Sequence, residues 1–202
     1  MARVQQVVAD IAPHDSVERY TNLGVDVVKG YAKLVDPWTV EIQLNDGGMQ
    51  TLTARTIVIA TGARPFVPPL PGIEETGYVT SDTLWTKFAE LEEAPKKLVV
   101  LGGGPIGSEL AQSFARLGSN VTQIEMSDRI MGREDLEVST FAHQSLTESG
   151  VNILTSHQAM RCEMRDGKKN TLSSNTMKQK SISSMMSFFV PLVVAHALKV
   201  MV

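Results

Sequence analysis

The chain has 202 residues, 43% hydrophobic and 20% charged, the composition of an ordinary globular protein with one or two cored domains. A formal net charge of -3 leaves no basic surface for nucleic acid. The single cysteine, Cys162, excludes an internal disulfide framework and a Cys-rich zinc site, and fits a reducing, cytoplasmic setting.

The stretch Met1-Ala2-Arg3-Val4-Gln5-Gln6 carries no charged-then-apolar leader pattern. Met1 to Ile11 reads as the end of a helix, with Val4, Val7, Val8 and Ile11 at helical spacing. Asp15 and Glu18 form a capping-box pair for a short helix that stops near Gly24. The period then changes. Val25–Val28, Tyr31–Val35 and Thr39–Leu44 read as strands. The turn Asn45-Asp46-Gly47-Gly48 returns the chain into Gln50–Ala54 as an antiparallel meander. Thr56–Ala60 is an apolar, β-branched run, the pattern of a strand buried on both faces. It ends at Thr61-Gly62, four prolines follow within residues 65–71, and Ser81 starts a helix that runs to about Leu91.

From Lys96 the pattern is βαβ. Leu98–Leu101 is a buried strand, a glycine loop follows, and an amphipathic helix carries Leu110, Ala111, Phe114, Ala115 and Leu117. Val121–Ile124 is the second strand, Glu134–Glu148 the second helix and Val151–Leu154 the third strand. The loop reads Gly102-Gly103-Gly104-Pro105-Ile106-Gly107. Free amides and the positive end of a helix dipole suit a pyrophosphate. Gly102 permits the turn after the strand, Gly104 lets a phosphate approach the backbone, and Gly107 lets the helix pack close to the sheet. Glu125 ends the second strand 23 residues after Gly102, where a carboxylate can accept hydrogen bonds from an adenosine ribose. The same carboxylate repels a 2′-phosphate, which favours NAD over NADP. Arg129 is near enough to relax that preference.

These motifs, with the stretches Pro13–Tyr20 and Ile57–Pro71, resemble the class I pyridine nucleotide-disulfide oxidoreductases, nearest to the mercuric-reductase-like flavoproteins and also similar to dihydrolipoamide dehydrogenase. The resemblance implies an α/β fold of Rossmann-like FAD- and NAD(P)-binding domains with a small antiparallel β-meander. Residues 1–92 would be part of the FAD domain and 93–167 most of the NAD(P) domain. It implies hydride transfer from the nicotinamide to FAD, and a homodimeric parent protein. Carried over by position, Ala32 in Gly30-Tyr31-Ala32 and the triplet Ala60-Thr61-Gly62 would meet FAD. Glu109 would pair with a lysine beside the flavin, one that lies upstream of Met1 in the family. Pro105 stands where several relatives have a tyrosine over the flavin. The family's FAD fingerprint and its C-x-x-x-x-C dithiol do not occur here, so the chain reads as a central fragment inactive alone. A nucleotide-binding remnant without turnover is the alternative.

The composition breaks near the end. All 22 acidic residues and all 15 glycines lie within residues 1–167, which carry a net charge of -8; the last 35 residues have neither and carry five lysines. Residues 168–202 are therefore expected to be an aberrant, disordered tail. A shifted reading frame accounts for it. One base out of register, Met177-Lys178 becomes Glu, Met185-Met186 becomes Asp and Met201-Val202 becomes Gly, and an A-x-G-R-like ending from Val190 onward is allowed. A membrane anchor is the weaker reading of this tail, because Phe188–Val202 is shorter than the ~20 residues a bilayer crossing needs.

Overall fold

The computed structural model describes residues 2–89, 91–165, 168–175, 188–191 and 193–195. They fall into two compact units, one centred on residues 2–64 and the other on residues 65–194.

The first unit opens with α1 (Ala2–Ile11), a single 3-10 turn (Ala12–Asp15) and α2 (Val17–Asn22). The cap of α2 is Ser16, whose Oγ accepts the Arg19 N–H at 3.2 Å. The expected Asp15 cap is displaced by one residue because Asp15 closes the preceding turn, while Ser16 has the extended backbone a cap requires. Three strands follow, β1 (Gly30–Asp36), β2 (Thr39–Leu44) and β3 (Met49–Thr53), in an antiparallel meander of order β1-β2-β3. Ala32 lies opposite Ile42, and both side chains are buried. The expected strand at Val25–Val28 does not form, since no described strand pairs with that run.

The expected buried strand at Thr56–Ala60 is also absent. The segment is irregular, with Val58 82% and Ile59 52% exposed. A strand apolar on both faces is held by neighbours on both edges, and among the described residues none pairs with this run.

β4 (Arg64–Phe66), α3 (Ile73–Thr76) and α4 (Leu84–Ala89) lead into the second unit. In the turn before α4, the Thr80 N–H donates to Thr83 Oγ1 at 2.9 Å, and the Thr83 N–H donates to Thr80 Oγ1 at 3.3 Å. That is the reciprocal bonding of a capping box, with threonine in both places. Next come β5 (Lys97–Leu101), α5 (Pro105–Arg116), β6 (Asn120–Ile124), α6 (Leu136–Glu148) and β7 (Asn152–Leu154). After them run a hairpin of β8 (His157–Arg165) with β9 (Lys168–Asn175), then β10 (Phe188–Pro191) and β11 (Val193–Ala195). The principal sheet is parallel, in the order β10-β5-β6-β7, and β11 pairs with β4.

β5 alternates between two cores, as a strand covered on both faces must. Leu98 and Val100 pack with Ala111 and Phe114 of α5, Leu146 of α6, and Leu84 and Phe88 of α4. Val99 and Leu101 pack with Ile73, Ile124, Ala159 and Cys162. Phe88 meets Phe114 edge to face at 5.5 Å. Ile73, Leu84 and Phe88 thus bury against the two faces of β5, within the compact unit that spans residues 65–194. Of the segment expected to be a disordered tail, residues 168–175, 188–191 and 193–195 lie in strands, and the rest lies outside the described residues. Among the described residues, no helix is long and apolar enough to cross a membrane, and no cluster of side chains could hold a metal ion.

Candidate dinucleotide-binding site

The sheet order places the site. β6 and β7 lie on one side of β5 and β10 on the other, so the chain reverses direction across the sheet at the carboxyl end of β5. Ligands of doubly wound folds bind at such a switch point. The glycine loop begins there.

Gly102 turns the chain at φ +100°, a conformation open to glycine, and its N–H donates to Ile124 O at 2.8 Å. Gly103 is held from both sides: its N–H donates to Glu125 Oε2 at 2.6 Å, and its carbonyl accepts the Met131 N–H at 2.6 Å. A Cβ on Gly103 would stand 2.8 Å from Ile130 Cγ2 and 3.0 Å from Glu125 Cγ. Gly104 is the cap residue of α5, with Pro105 in the first turn and no side-chain cap. A Cβ on Gly104 would meet nothing within 4 Å, and its backbone (φ -75°, ψ 178°) suits any residue. Gly107 is the opposite case: a Cβ there would stand 2.4 Å from Gly102 O. Among the described residues, no acceptor takes the Ile106 or Gly107 N–H. Open amides at the start of a twelve-residue helix are what a phosphate diester needs.

The half-buried Glu125 is fixed over this loop. Oε2 accepts the Gly103 N–H and Oε1 accepts the Ser127 N–H at 2.7 Å. Each carboxylate oxygen has a second lone pair, so the group can still accept hydroxyl protons. Arg129 is turned to the following loop, where its Nη2 donates to Gly132 O at 3.1 Å and Glu134 O at 3.3 Å. Met131 sits at φ +53°, unusual for a side chain of its size, and carries the N–H that reaches Gly103. The segment after β6 is thereby folded onto the loop.

Glu109 is exposed on α5, beyond the helix's first turn. Of the positions carried over for FAD, Ala32 is buried in β1, whereas Ala60, Thr61 and Gly62 lie in the irregular segment after β3. The structure brings together Gly102–Gly107 and Glu125, the residues expected to hold the nicotinamide nucleotide, and among the described residues no hydrogen bond joins the two stretches expected to meet the flavin. Cys162 is buried on β8, its N–H donating to Pro71 O at 2.8 Å, in keeping with a packing role.

Sequence reasoning missed Gln123. It is fully buried in β6, and its Nε2 donates to Gly102 O at 3.0 Å and to Ser108 Oγ at 3.2 Å. The signal was a glutamine inside an otherwise strand-forming run, Val121-Thr122-Gln123-Ile124. Ser127 and Met131 act through backbone amides and left no side-chain signal.

A parallel sheet with a glycine loop at its switch point and an acid at the second strand tip defines a Rossmann-like α/β fold. The chain belongs to the pyridine nucleotide-disulphide oxidoreductase family, whose profile matches residues 4–190. It is 40% identical over 154 residues to a mercuric reductase of Bacillus cereus, covering 74% of this chain and 23% of that protein. It is 40% identical over 143 residues to a dihydrolipoamide dehydrogenase of Chaetomium thermophilum, covering 69% of this chain and 27% of that one. Among solved structures, the HOCl-induced flavoprotein disulfide reductase RclA of Escherichia coli superposes with a TM-score of 0.69 at 26% identity, covering 96% of this chain and 43% of that one. The chain spans about a quarter to a third of the length of the curated relatives it matches. The family is one of FAD- and NAD(P)-dependent oxidoreductases.

Proposed function

We propose that this chain binds a nicotinamide adenine dinucleotide, NAD in preference to NADP, as the nucleotide-holding part of a mercuric-reductase-like, FAD-dependent oxidoreductase. The observation that carries this reading is the Glu125 carboxylate, fixed over the glycine loop beside the open amides of Ile106 and Gly107. The amides and the helix dipole take the pyrophosphate. Glu125 accepts the ribose hydroxyls, and its charge repels a 2′-phosphate. Arg129 does not reverse that preference, because its guanidinium serves the carbonyls of Gly132 and Glu134. When bound, the nicotinamide supplies a hydride and the flavin accepts it. The chain's own part is to hold the nucleotide at a fixed place and orientation. Glu109, on the same helix, takes the flavin-side ion pair in the complete protein.

The test is a titration of the purified chain with NADH and NADPH, followed by amide NMR. Shifts at residues 102–107 and 125 that saturate at lower NADH than NADPH support the reading. A folded chain whose loop signals ignore both nucleotides refutes it.

A second reading has its own support. Ala60, Thr61 and Gly62 lie in an irregular segment and not at the end of a strand, which favours a nucleotide-binding remnant without turnover. A colourless sample that binds NADH without consuming it supports that reading. A yellow sample that oxidises NADH supports the oxidoreductase.

A further inference from the structure

We infer that Gln123 is a positioning residue for the dinucleotide: its buried amide, between Gly102 O and Ser108 Oγ, fixes the glycine loop against the start of α5. The inference rests on the nucleotide-binding reading above. Three observations carry it.

The amide bridges the two parts whose relative placement sets the phosphate site. Gly102 O belongs to the turn out of β5, and Ser108 to the first turn of α5. Gly107 closes on the same carbonyl, since a Cβ there would stand 2.4 Å from Gly102 O and 3.5 Å from Gln123 Nε2. Gly102 O is thus held by an amide on one side and a bare helix backbone on the other. Moving it moves the amides of Ile106 and Gly107.

Packing does not ask for the amide. Gln123 is 0% exposed, and its Oε1 has no hydrogen-bond partner among the described residues. Its neighbours on β6 include Val121 and Ile124, both in the apolar cores. A buried carbonyl without a partner opposes folding. A thioether of similar length fills the same space without that penalty.

The donor therefore serves placement more than stability, and the two are separable by experiment. Gln123→Met removes both hydrogen bonds and the orphaned oxygen together. The expected result is a melting temperature equal to or above that of the unchanged chain, with NADH bound about tenfold more weakly, the scale of one lost hydrogen bond. Amide exchange at Gly103 in the nucleotide-free chain should also quicken several-fold. A purely structural role predicts the opposite: affinity lost only in step with stability. Gln123→Val, which matches the aliphatic run of β6, repeats the test if Q123M does not fold; if neither folds, Gln123 is a folding anchor and the inference is overturned. Equal NADH affinity in Q123M and the unchanged chain also overturns it. If the unchanged chain ignores NADH, the functional reading fails first. The exchange arm then decides alone: faster exchange at Gly103 in Q123M upholds the loop-fixing role, and an unaltered rate ends it.

Discussion

Gly104 and Gly107 give the sharpest test of the site, because the fold treats them in opposite ways. Replace each by alanine. At position 104 the new methyl enters open space on a backbone that alanine adopts readily. Loss of unfolded-chain freedom favours Gly104→Ala by about 0.4–1 kcal/mol, and alanine's poor showing as a helix cap opposes it by a similar amount. The net change is within about 0.5 kcal/mol, or about 1–2 °C in melting temperature. At position 107 the methyl would stand 2.4 Å from a backbone carbonyl oxygen. Ordinary contact needs about 1 Å more, and neither α5 nor the β5 turn can give that without repacking. Overpacking of this kind costs about 1–3 kcal/mol, or roughly 2–12 °C. Stability thus separates the two variants, and nucleotide affinity should not. In the proposed site the methyl of G104A would stand where the pyrophosphate approaches, so NADH binding should weaken at least about tenfold, worth about 1.4 kcal/mol, in a protein as stable as the original. The assays are a thermal melt and an NADH titration on each variant. If G104A melts like the unchanged chain and binds NADH equally well, the glycine has no ligand to admit and the proposed site is wrong.

Further outcomes follow from the same geometry. Glu125→Gln keeps the side chain's shape but removes the charge from the bonds to Gly103 and Ser127; it should lower stability by about 1–2 kcal/mol and narrow the gap between NADH and NADPH affinities, read by paired titrations. Phe88→Ala empties a fully buried site against Phe114 and should cost about 3–5 kcal/mol in denaturant unfolding, although Phe88 lies in the connector before the βαβ. Gln112→Ala removes the tie from α5 to Ser145 Oγ on α6 and to Ser149 Oγ at its C-cap and should cost about 1 kcal/mol with little effect on NADH binding. Asp36 titrates below the ordinary aspartate value, chiefly because its carboxylate accepts the Trp38 N–H and also because it bonds Thr39. Its folded-state pKa is depressed, so its contribution is present above the unfolded pKa and fades as pH falls through the lower folded value; an NMR titration of its carboxyl should show that acid midpoint, and Asp36→Asn should remove the matching part of the acid dependence.

The βαβ was legible because its signals are local. Apolar runs fix β5, β6 and β7, a glycine loop marks the start of α5, and Glu125 stands at the strand tip where spacing alone puts it. The meander was legible for the same reason, through alternation in Thr39–Leu44 and a Gly-Gly turn. Thr56–Ala60 misled because β-propensity says only that a run can be a strand; whether it is one depends on edges supplied by other segments. The reciprocal bonding of Thr80 and Thr83 before α4 was not legible because threonine at Thr83 does the work usually looked for in a glutamate. Nor was the burial of Ile73 and Phe88 against β5, since that pairing of distant apolar residues has no local signature. Gln123 was passed over because a polar residue in a strand is normally read as facing solvent.

The fourth strand shows how far backbone chemistry alone can complete such a fold. Without β10, the order β5-β6-β7 would leave β5 at an edge, and the loop after it would be a turn at the side of a sheet. With Phe188–Pro191 paired in parallel to Leu98–Leu101, β5 becomes central, and its carboxyl end becomes the switch point at which doubly wound folds bind their ligands. The ladder asks for N–H and C=O groups in register, and little else. Pro191, which has no N–H to give, is tolerated because it ends an edge strand. A segment with a composition foreign to the rest of the chain can therefore still occupy the fourth position. The proposed site would draw its binding groups from the loop after β5, the start of α5 and the end of β6, and from β10 only the position of the crevice.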